Sequence, residues 1–143
     1  MISITAMPGT DKALFKITIL ERLTETAIAA AWQDAGAVVT KRLVHILTTG
    51  PRTGRVYTIR GKKHQASAPG EAPARRTGRL AKSVGYKATG HDELIVGEEA
   101  EYAGFLESGT GRMKPRPHLS IAVDQTKTDV LKMLERYIME AHR

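Results

Sequence analysis

Apolar residues recur along the first third of the chain at steps of three and four positions. Ile2 to Ala6 alternates apolar and polar residues, which predicts a short edge strand. Residues 11–47 contain no proline and a single glycine. The spacing therefore predicts one long helix over 11–47, bent or interrupted near Thr24 to Thr26, with Trp32 in the core. The apolar stripe consists of Leu14, Ile17, Leu20, Ile28, Trp32, Ala35, Val39, Leu43 and Ile46.

A segment rich in glycine and proline follows this helix. Residues 48–76 contain three prolines and four glycines and show no apolar stripe. Residues 56–59 and 64–66 are predicted to pair as a hairpin across 60–63. Connections of this length are rare in compact domains unless they bind something. We therefore predict an extended arm over 48–76, mobile in the isolated subunit and ordered in an assembly.

Regular structure returns after the arm. Residues 77–82 suit a short helical turn, and the alternation in 83–88 and 93–97 predicts a β-hairpin. A second helical turn is expected over 102–107, with Tyr102 and Phe105 packed under that hairpin. Pro117 is well placed to begin a last helix that runs nearly to the C-terminus. The expected fold is one α+β domain over 1–143, a small antiparallel sheet packed against two helices.

Charge is strongly segregated within the 143 residues and the net charge of +7. Residues 41–87 carry twelve basic groups against one acidic group, and 88–108 carry six carboxylates and no lysine or arginine. A basic block of this kind indicates a solvated face, a nucleic-acid contact or a complementary protein surface. The adjacent acidic block favours the protein surface, because carboxylates beside a DNA site repel phosphate.

No catalytic or cofactor-binding pattern stands out. The chain has no cysteine, which excludes disulfides and thiolate chemistry and fits a reducing compartment. Its five histidines lack metal-ligand spacing and are expected at the surface or at an interface. The carboxylates of 88–108 are expected to be solvated, and Glu107 to hold the Gly109-Thr110 loop through hydrogen bonds. Because neither a membrane span nor a signal peptide is visible, we expect an intracellular, soluble protein without cofactor or metal.

Four stretches, read together in order, resemble one family. Residues 66–73 read Ala-Ser-Ala-Pro-Gly-Glu-Ala-Pro, and residues 77–84 read Thr-Gly-Arg-Leu-Ala-Lys-Ser-Val. Residues 102–110 read Tyr-Ala-Gly-Phe-Leu-Glu-Ser-Gly-Thr, and residues 113–119 read Met-Lys-Pro-Arg-Pro-His-Leu. Their order and spacing resemble the gp-ten-like family of tailed-phage neck and tail-completion proteins. His118 departs from the pattern, since that family more often has phenylalanine there.

The resemblance implies a structural virion protein, not an enzyme, that forms a ring at the neck or tail top and joins head to tail. Its partners would be further copies of itself and the neighbouring connector and tail proteins, in the virion and in the host cytoplasm during assembly. Genomic DNA in the channel, contacted by the 41–87 region, is the alternative partner. A small toxin or nuclease is the third class considered, and no catalytic set supports it.

The charge map adds a hypothesis about the ring. A cyclic ring joins two unlike surfaces of each subunit, and the basic and acidic blocks are two such surfaces. We expect the basic arm of one subunit to lie against the acidic hairpin and the acidic turn at 98–101 of the next. The residues proposed for this interface are Arg55, Arg60, Lys62, Lys63, Arg75, Arg76, Arg79, Glu98, Glu99, Glu101, Arg112, Lys114 and Arg116.

Overall fold

The computed structural model describes residues 1–7, 12–20, 22–75 and 77–143. The chain folds as an α+β protein, as predicted, with the helices against an antiparallel sheet. The elements in chain order are β1 (Ile2–Ala6), β2 (Ala13–Ile19), α1 (Glu25–Thr49), β3 (Val56–Ile59), β4 (Lys62–Gln65), α2 (Arg79–Lys82), β5 (Val84–Ala88), β6 (Glu93–Glu98), α3 (Ala103–Ser108) and α4 (Leu119–Ala141).

The long helix predicted over 11–47 begins much later, and its first part is strand β2. Ala13, Ile17 and Ile19 are buried on one side of this strand. β-Branched residues at 17–19 favour a strand, and pairing with β6 stabilises the strand over the predicted helix. The helix starts at Glu25, where the Thr24 hydroxyl accepts a hydrogen bond from the Ala27 amide at 3.2 Å. The predicted bend is therefore the N-terminus of α1, and residue 11 lies outside the described residues.

The main sheet has the strand order β1-β2-β6-β5, with every neighbouring pair antiparallel. Its inner face carries Ile17, Ile19, Leu94 and Val96, each almost without exposed surface. Burying each of these side chains contributes about 1.5–3 kcal/mol, so this layer is the main source of stability for the sheet. The β5–β6 hairpin predicted from the alternation at 83–97 is confirmed.

Helices α1 and α4 pack on each other and cover the inner face of the sheet. Trp32 is buried as predicted, and its indole nitrogen donates a hydrogen bond to the His91 carbonyl oxygen at 3.3 Å. Gly36 lets α1 approach β5, because a Cβ at this position would lie 2.3 Å from the Tyr86 ring. The last helix begins at Leu119, two residues after the predicted Pro117.

The second, smaller sheet is the hairpin formed by β3 and β4. The hairpin is confirmed, but its second strand is Lys62–Gln65 rather than 64–66. The turn therefore has only two residues, Arg60 at φ 49° and Gly61 at φ 77°. Positive φ at both positions is typical of a type I′ turn, whose twist matches the flanking strands. The predicted helical turns correspond to α2 and α3. Over the described residues, no helix is long and apolar enough to cross a membrane.

Candidate assembly surface

The β3–β4 hairpin exposes both cationic and apolar side chains. Arg60, Lys62 and Lys63 are exposed at its tip. Tyr57 is 46% exposed and Val56 is 53% exposed. The Arg55 guanidinium lies 5.5 Å from the centre of the Tyr57 ring, at the distance of a cation–π contact. An aromatic ring held out beside four cations is a suitable contact for another macromolecule.

The hairpin pairs with no strand of the main sheet within the described part of the chain. Isolated two-stranded hairpins are marginally stable in water, because one ladder of hydrogen bonds barely offsets the entropy of ordering them. Three of the four residues in each of its strands are exposed, so little core burial supports this one. Most of the hairpin surface is therefore exposed, and Ile59 and His64 are its half-buried residues.

The base of the arm, in contrast, is attached to the body. The Glu71 carboxylate accepts hydrogen bonds from the Thr53 amide at 3.0 Å, from the Ala68 amide at 2.8 Å and from the Thr53 hydroxyl. These bonds lower the pKa of Glu71, that with the Thr53 hydroxyl most strongly. The Arg116 side chain donates to the Ser67 hydroxyl at 3.0 Å and to the Ser67 carbonyl at 3.3 Å. Within the described part of the arm, the hairpin is the segment that projects from this base.

A groove of about 560 Å³ lies between the base of the arm, α2 and α3. Its rim carries three arginines, Arg75, Arg79 and Arg116. The Arg79 guanidinium lies 5.7 Å from the centre of the Tyr102 ring. The prediction that Tyr102 and Phe105 pack under a hairpin is wrong, because they are 36% and 49% exposed. Tyr102 adds aromatic surface to the groove, whereas Phe105 is not part of the groove lining.

The acidic side of the proposed interface needs one correction, at Glu98. Its side chain has no exposed surface, whereas Glu99 and Glu101 are exposed. Strand β6 alternates inward and outward, and Glu98 follows Leu94 and Val96 on the inward side. Glu98 is therefore unavailable to a neighbouring subunit. Glu99 forms an ion pair with Lys12 of its own chain at 2.5 Å.

Glu98 belongs to a buried cluster with His118 and Glu107. Its Oε2 lies 2.8 Å from Nε2 of His118, which is also fully buried. The other ring nitrogen, Nδ1, lies 2.8 Å from the Arg116 carbonyl and 3.2 Å from Glu107 Oε2. The expectation of surface histidines therefore fails at His118, and the expectation of solvated carboxylates fails at Glu98.

Glu107 caps the last helix. It accepts hydrogen bonds from the amides of His118, Leu119 and Ser120 at 2.9–3.0 Å. These are amides at the start of α4 that no intrahelical carbonyl can satisfy, and the helix dipole favours an anion there. Glu107 is structural, as expected, but it holds the start of α4 rather than the Gly109-Thr110 loop.

The cluster shifts the pKa values of its three members. Burial raises the pKa of Glu98, and the hydrogen bond from His118 only partly opposes this. Burial also acts to lower the pKa of His118, but its bond to Glu98 outweighs burial and leaves that pKa raised. Burial acts to raise the pKa of Glu107, yet the hydrogen bonds at the start of α4 leave it lowered. The directions for His118 and Glu107 favour their charged forms, whereas the direction for Glu98 favours its neutral form.

This cluster joins elements that are distant in sequence, and its Glu98 and His118 side chains have no exposed surface. It connects the end of β6, the end of α3 and the start of α4. Glu98 Oε1 is buried and has no hydrogen-bond partner among the described residues. In the same part of the chain, no group of three or more His, Asp or Glu residues is arranged to hold a metal ion. The cluster therefore holds the end of β6, the end of α3 and the start of α4 together.

The remaining residues of the proposed interface fall at two places. Arg55, Arg60, Lys62 and Lys63 are together on the hairpin, and Arg75 and Arg79 line the groove. Arg112 and Lys114 are exposed on the loop before α4, and Arg116 is half-buried in its bonds to Ser67. Arg76 lies outside the described residues.

Sequence reasoning missed the pairing of Glu98 with His118, although two signals pointed to it. The alternation of β6 places Glu98 on the same side as Leu94 and Val96. His118 also occupies a position where the family pattern more often has an apolar aromatic residue, which is typical of a buried site. A buried histidine requires a partner, and an inward-facing glutamate is the obvious one.

Comparison with protein-family models gives one match. The model described as "Bacteriophage HK97-gp10, putative tail-component" matches residues 11–109, well over half of the chain. This range includes the arm, the groove lining except Arg116, and the acidic turn, and it ends before α4. Comparisons with curated proteins and with solved structures give no match.

Proposed function

Because the chain belongs to the HK97-gp10-like family of bacteriophage tail components, we propose that it forms a ring at the neck or tail top that joins head and tail. The family is one of structural phage proteins rather than of enzymes, and a tail component is located in the virion. Its partners are accordingly other phage structural proteins. The ring, its position and the joining step are the parts that we propose.

The observation that carries the ring proposal is the separation of two unlike surfaces on one subunit. The hairpin presents Arg55, Arg60, Lys62 and Lys63, whereas Glu99 and Glu101 are exposed where β6 leads into α3. A ring requires a heterologous contact, in which one surface of a subunit meets a different surface of the next. Opposite charges on the two surfaces fix the direction of this contact and disfavour contact between like surfaces.

The interface that we propose places the hairpin of one subunit against Glu99 and Glu101 of its neighbour. Each exposed ion pair contributes only about 0–1 kcal/mol, so several pairs must act together around the ring. Because Glu99 already pairs with Lys12, its contact with a neighbour forms a charge network rather than a single pair. Glu98 is excluded from this set by its burial.

Two measurements test the proposed function at different levels. Light scattering of the purified chain should detect a closed oligomer without nucleic acid, and electron microscopy should show it as a ring. Inactivating the gene in its phage should leave filled heads and separate tails that regain joining when the purified chain is added. Virions that join normally without the chain would contradict the joining role.

Charge reversal tests the interface itself. Glu99→Lys combined with Glu101→Lys should abolish the oligomer without changing the folded subunit, since both side chains are exposed. Adding Arg60→Glu, Lys62→Glu and Lys63→Glu should restore part of the assembly. Asp124→Lys combined with Asp129→Lys on the exposed side of α4 is the matched control and should assemble normally. Normal assembly by the Glu99 and Glu101 variant would overturn the pairing.

Contact with DNA is the second candidate, favoured by the four exposed cations of the hairpin and by the absence of any carboxylate in residues 55–65. A DNA contact of this kind releases counterions, so its affinity should fall steeply between about 50 and 200 mM salt. Titration with a 20-base-pair duplex over this range separates the two functions. A closed oligomer that persists in moderate salt without DNA favours the ring.

A further inference from the structure

A glycine in β5 has no explanation within the subunit. The φ of Gly85 lies outside the left-handed region, and among the described residues no atom lies within 4 Å of a Cβ built there. Any other residue would therefore fit, and glycine weakens a strand interior. A strand glycine without a local reason often marks a place where another chain approaches closely.

Gly85 is directly opposite a second glycine on the neighbouring strand. Gly97 of β6 is its register partner, and Leu14 of β2 is the partner of Gly97 on the other side. Gly97 does have a local reason, because its φ is +156° and a Cβ would lie 2.1 Å from the Ala13 carbonyl oxygen. Two adjacent strands thus lack a side chain at the same level of the sheet.

The paired glycines form the floor of a shallow trench of about 250 Å³. Tyr86 packs inward against Gly36 of α1, so Gly85 faces the opposite, outer side of the sheet. The half-buried side chains of Leu14 and Ile95 give the trench apolar walls. Lys87 and Glu99 line it as well and supply one cation and one anion. Among the described residues, Leu14, Gly85 and Ile95 therefore remain only partly covered.

We propose that this trench receives Tyr57 from the β3–β4 hairpin of a second copy of the chain. An aromatic ring laid over strand glycines restores the cross-strand packing that the glycines lack. Tyr57 is 46% exposed, and its phenol group can donate to Glu99 and accept from Lys87. Arg55, already over the Tyr57 ring, brings a guanidinium to the same Glu99 carboxylate.

This inference rests on the proposed function, since it adds an apolar anchor to the charged contact of the ring. Ion pairs at the rim set direction and rate of association, whereas buried aromatic anchors supply most of the affinity. The hairpin carries both kinds of group within a few residues, and the region around Glu99 carries the complement of both. The contact is heterologous, as a ring requires.

The test is a coupled pair of variants, Gly85→Val and Tyr57→Ala, measured by concentration-dependent light scattering. Gly85→Val fills the trench and should raise the dissociation constant of the oligomer at least tenfold. Its thermal unfolding midpoint should equal or exceed that of the unchanged chain, since valine suits a strand. Tyr57→Ala should weaken assembly similarly, and the double variant should lose no more than either single variant.

Two controls match the variants. Gly111→Val adds the same side chain at another glycine with open space around it, and Phe105→Ala removes another exposed aromatic ring. Both should assemble normally. Normal assembly by Gly85→Val, or additive losses in the double variant, would overturn the contact while leaving the ring intact. An unchanged chain that stays monomeric would instead overturn the ring, and the contact with it. If Gly85→Val fails to fold, Gly85→Ser takes its place. Gly85→Ser and Tyr57→Ala should each weaken assembly, and normal assembly or additive losses would again overturn the contact.

Discussion

The buried cluster around His118 and the exposed β3–β4 hairpin both contain several ionisable side chains. Those of the cluster have hydrogen-bond partners inside the subunit, whereas the lysines and arginines of the hairpin face solvent. Glu98 and His118 have no exposed surface, and Glu98 Oε2 lies 2.8 Å from His118 Nε2. The hairpin keeps its cations and Tyr57 in solvent. Internal contacts account for the first region, whereas the proposed assembly would account for the second. Stability and assembly should therefore respond to different residues.

The largest effect is expected from His118→Ala. This change leaves the Glu98 carboxylate buried without its cation, and removing one partner of a buried pair costs about 3–5 kcal/mol. The free energy of unfolding, measured with denaturant, should fall by that amount. Replacing both partners, as Glu98→Leu with His118→Phe, should recover most of the loss, because an apolar pair needs no solvation. If His118→Ala were as stable as the unchanged chain, the Glu98–His118 pair would not stabilise the fold.

A smaller loss is expected from Glu107→Ala. It leaves three amides at the start of α4 without an acceptor, and loss of a helix cap costs about 1–2 kcal/mol. Glu107→Gln keeps one acceptor oxygen and should lose less. Denaturant unfolding of both variants measures the difference. Equal stability of Glu107→Ala and the unchanged chain would show that the Glu107 cap does not stabilise the fold.

The pH dependence of unfolding should also come from the cluster. The folded pKa of His118 is raised above 6.5, so its contribution to stability is complete below pH 6.5. That contribution is lost as the pH rises through the folded pKa. At the acid end, the folded pKa of Glu107 is below 4.5, so its contribution is present above pH 4.5 and is lost as the pH falls further.

Denaturant midpoints measured from about pH 2 to pH 9 test both ends. The decline above pH 6.5 should disappear in the Glu98→Leu, His118→Phe variant, which keeps Glu107. A decline of the same size in that variant would assign it to groups outside the cluster.

The smallest effect on stability is expected when the hairpin is removed. The Ala66 amide donates to the Arg55 carbonyl at 3.0 Å, so replacing residues 56–65 with Asn-Gly closes the chain as a tight turn. Because those residues are mostly exposed, the free energy of unfolding should change by no more than about 0.5 kcal/mol. Assembly should be lost completely. A large drop in stability would show that the hairpin belongs to the core.

The sequence predicted the elements whose pattern is local. The stripe from Ile28 to Leu43 and the alternation at 83–97 each identified their element correctly. The prediction was wrong at strand β2, because Leu14, Ile17 and Leu20 also fit a helical spacing. Its identity comes from burial between β1 and β6, a tertiary effect that no local pattern contains.

The local features of the candidate site were also predictable, whereas its contacts between distant segments were not. The cations of the hairpin were identified from charge and composition alone. The bond from Arg116 to Ser67 and the cap that Glu107 provides join residues that loops bring together, and spacing in the sequence gives no distance between them. The trench depends on the register of β5 with β6, which places Gly85 opposite Gly97.

The most direct test of the difference between the two regions is hydrogen–deuterium exchange in the isolated subunit and in the assembled ring. In the subunit, the amides of β3 and β4 should exchange within seconds to minutes, whereas those of His118 to Ser120, bonded to Glu107, should be protected. On assembly, the hairpin amides should become strongly protected and the His118 region should not change. Hairpin amides that exchange equally fast in both states would contradict the account, because the hairpin would then have no partner in the assembly.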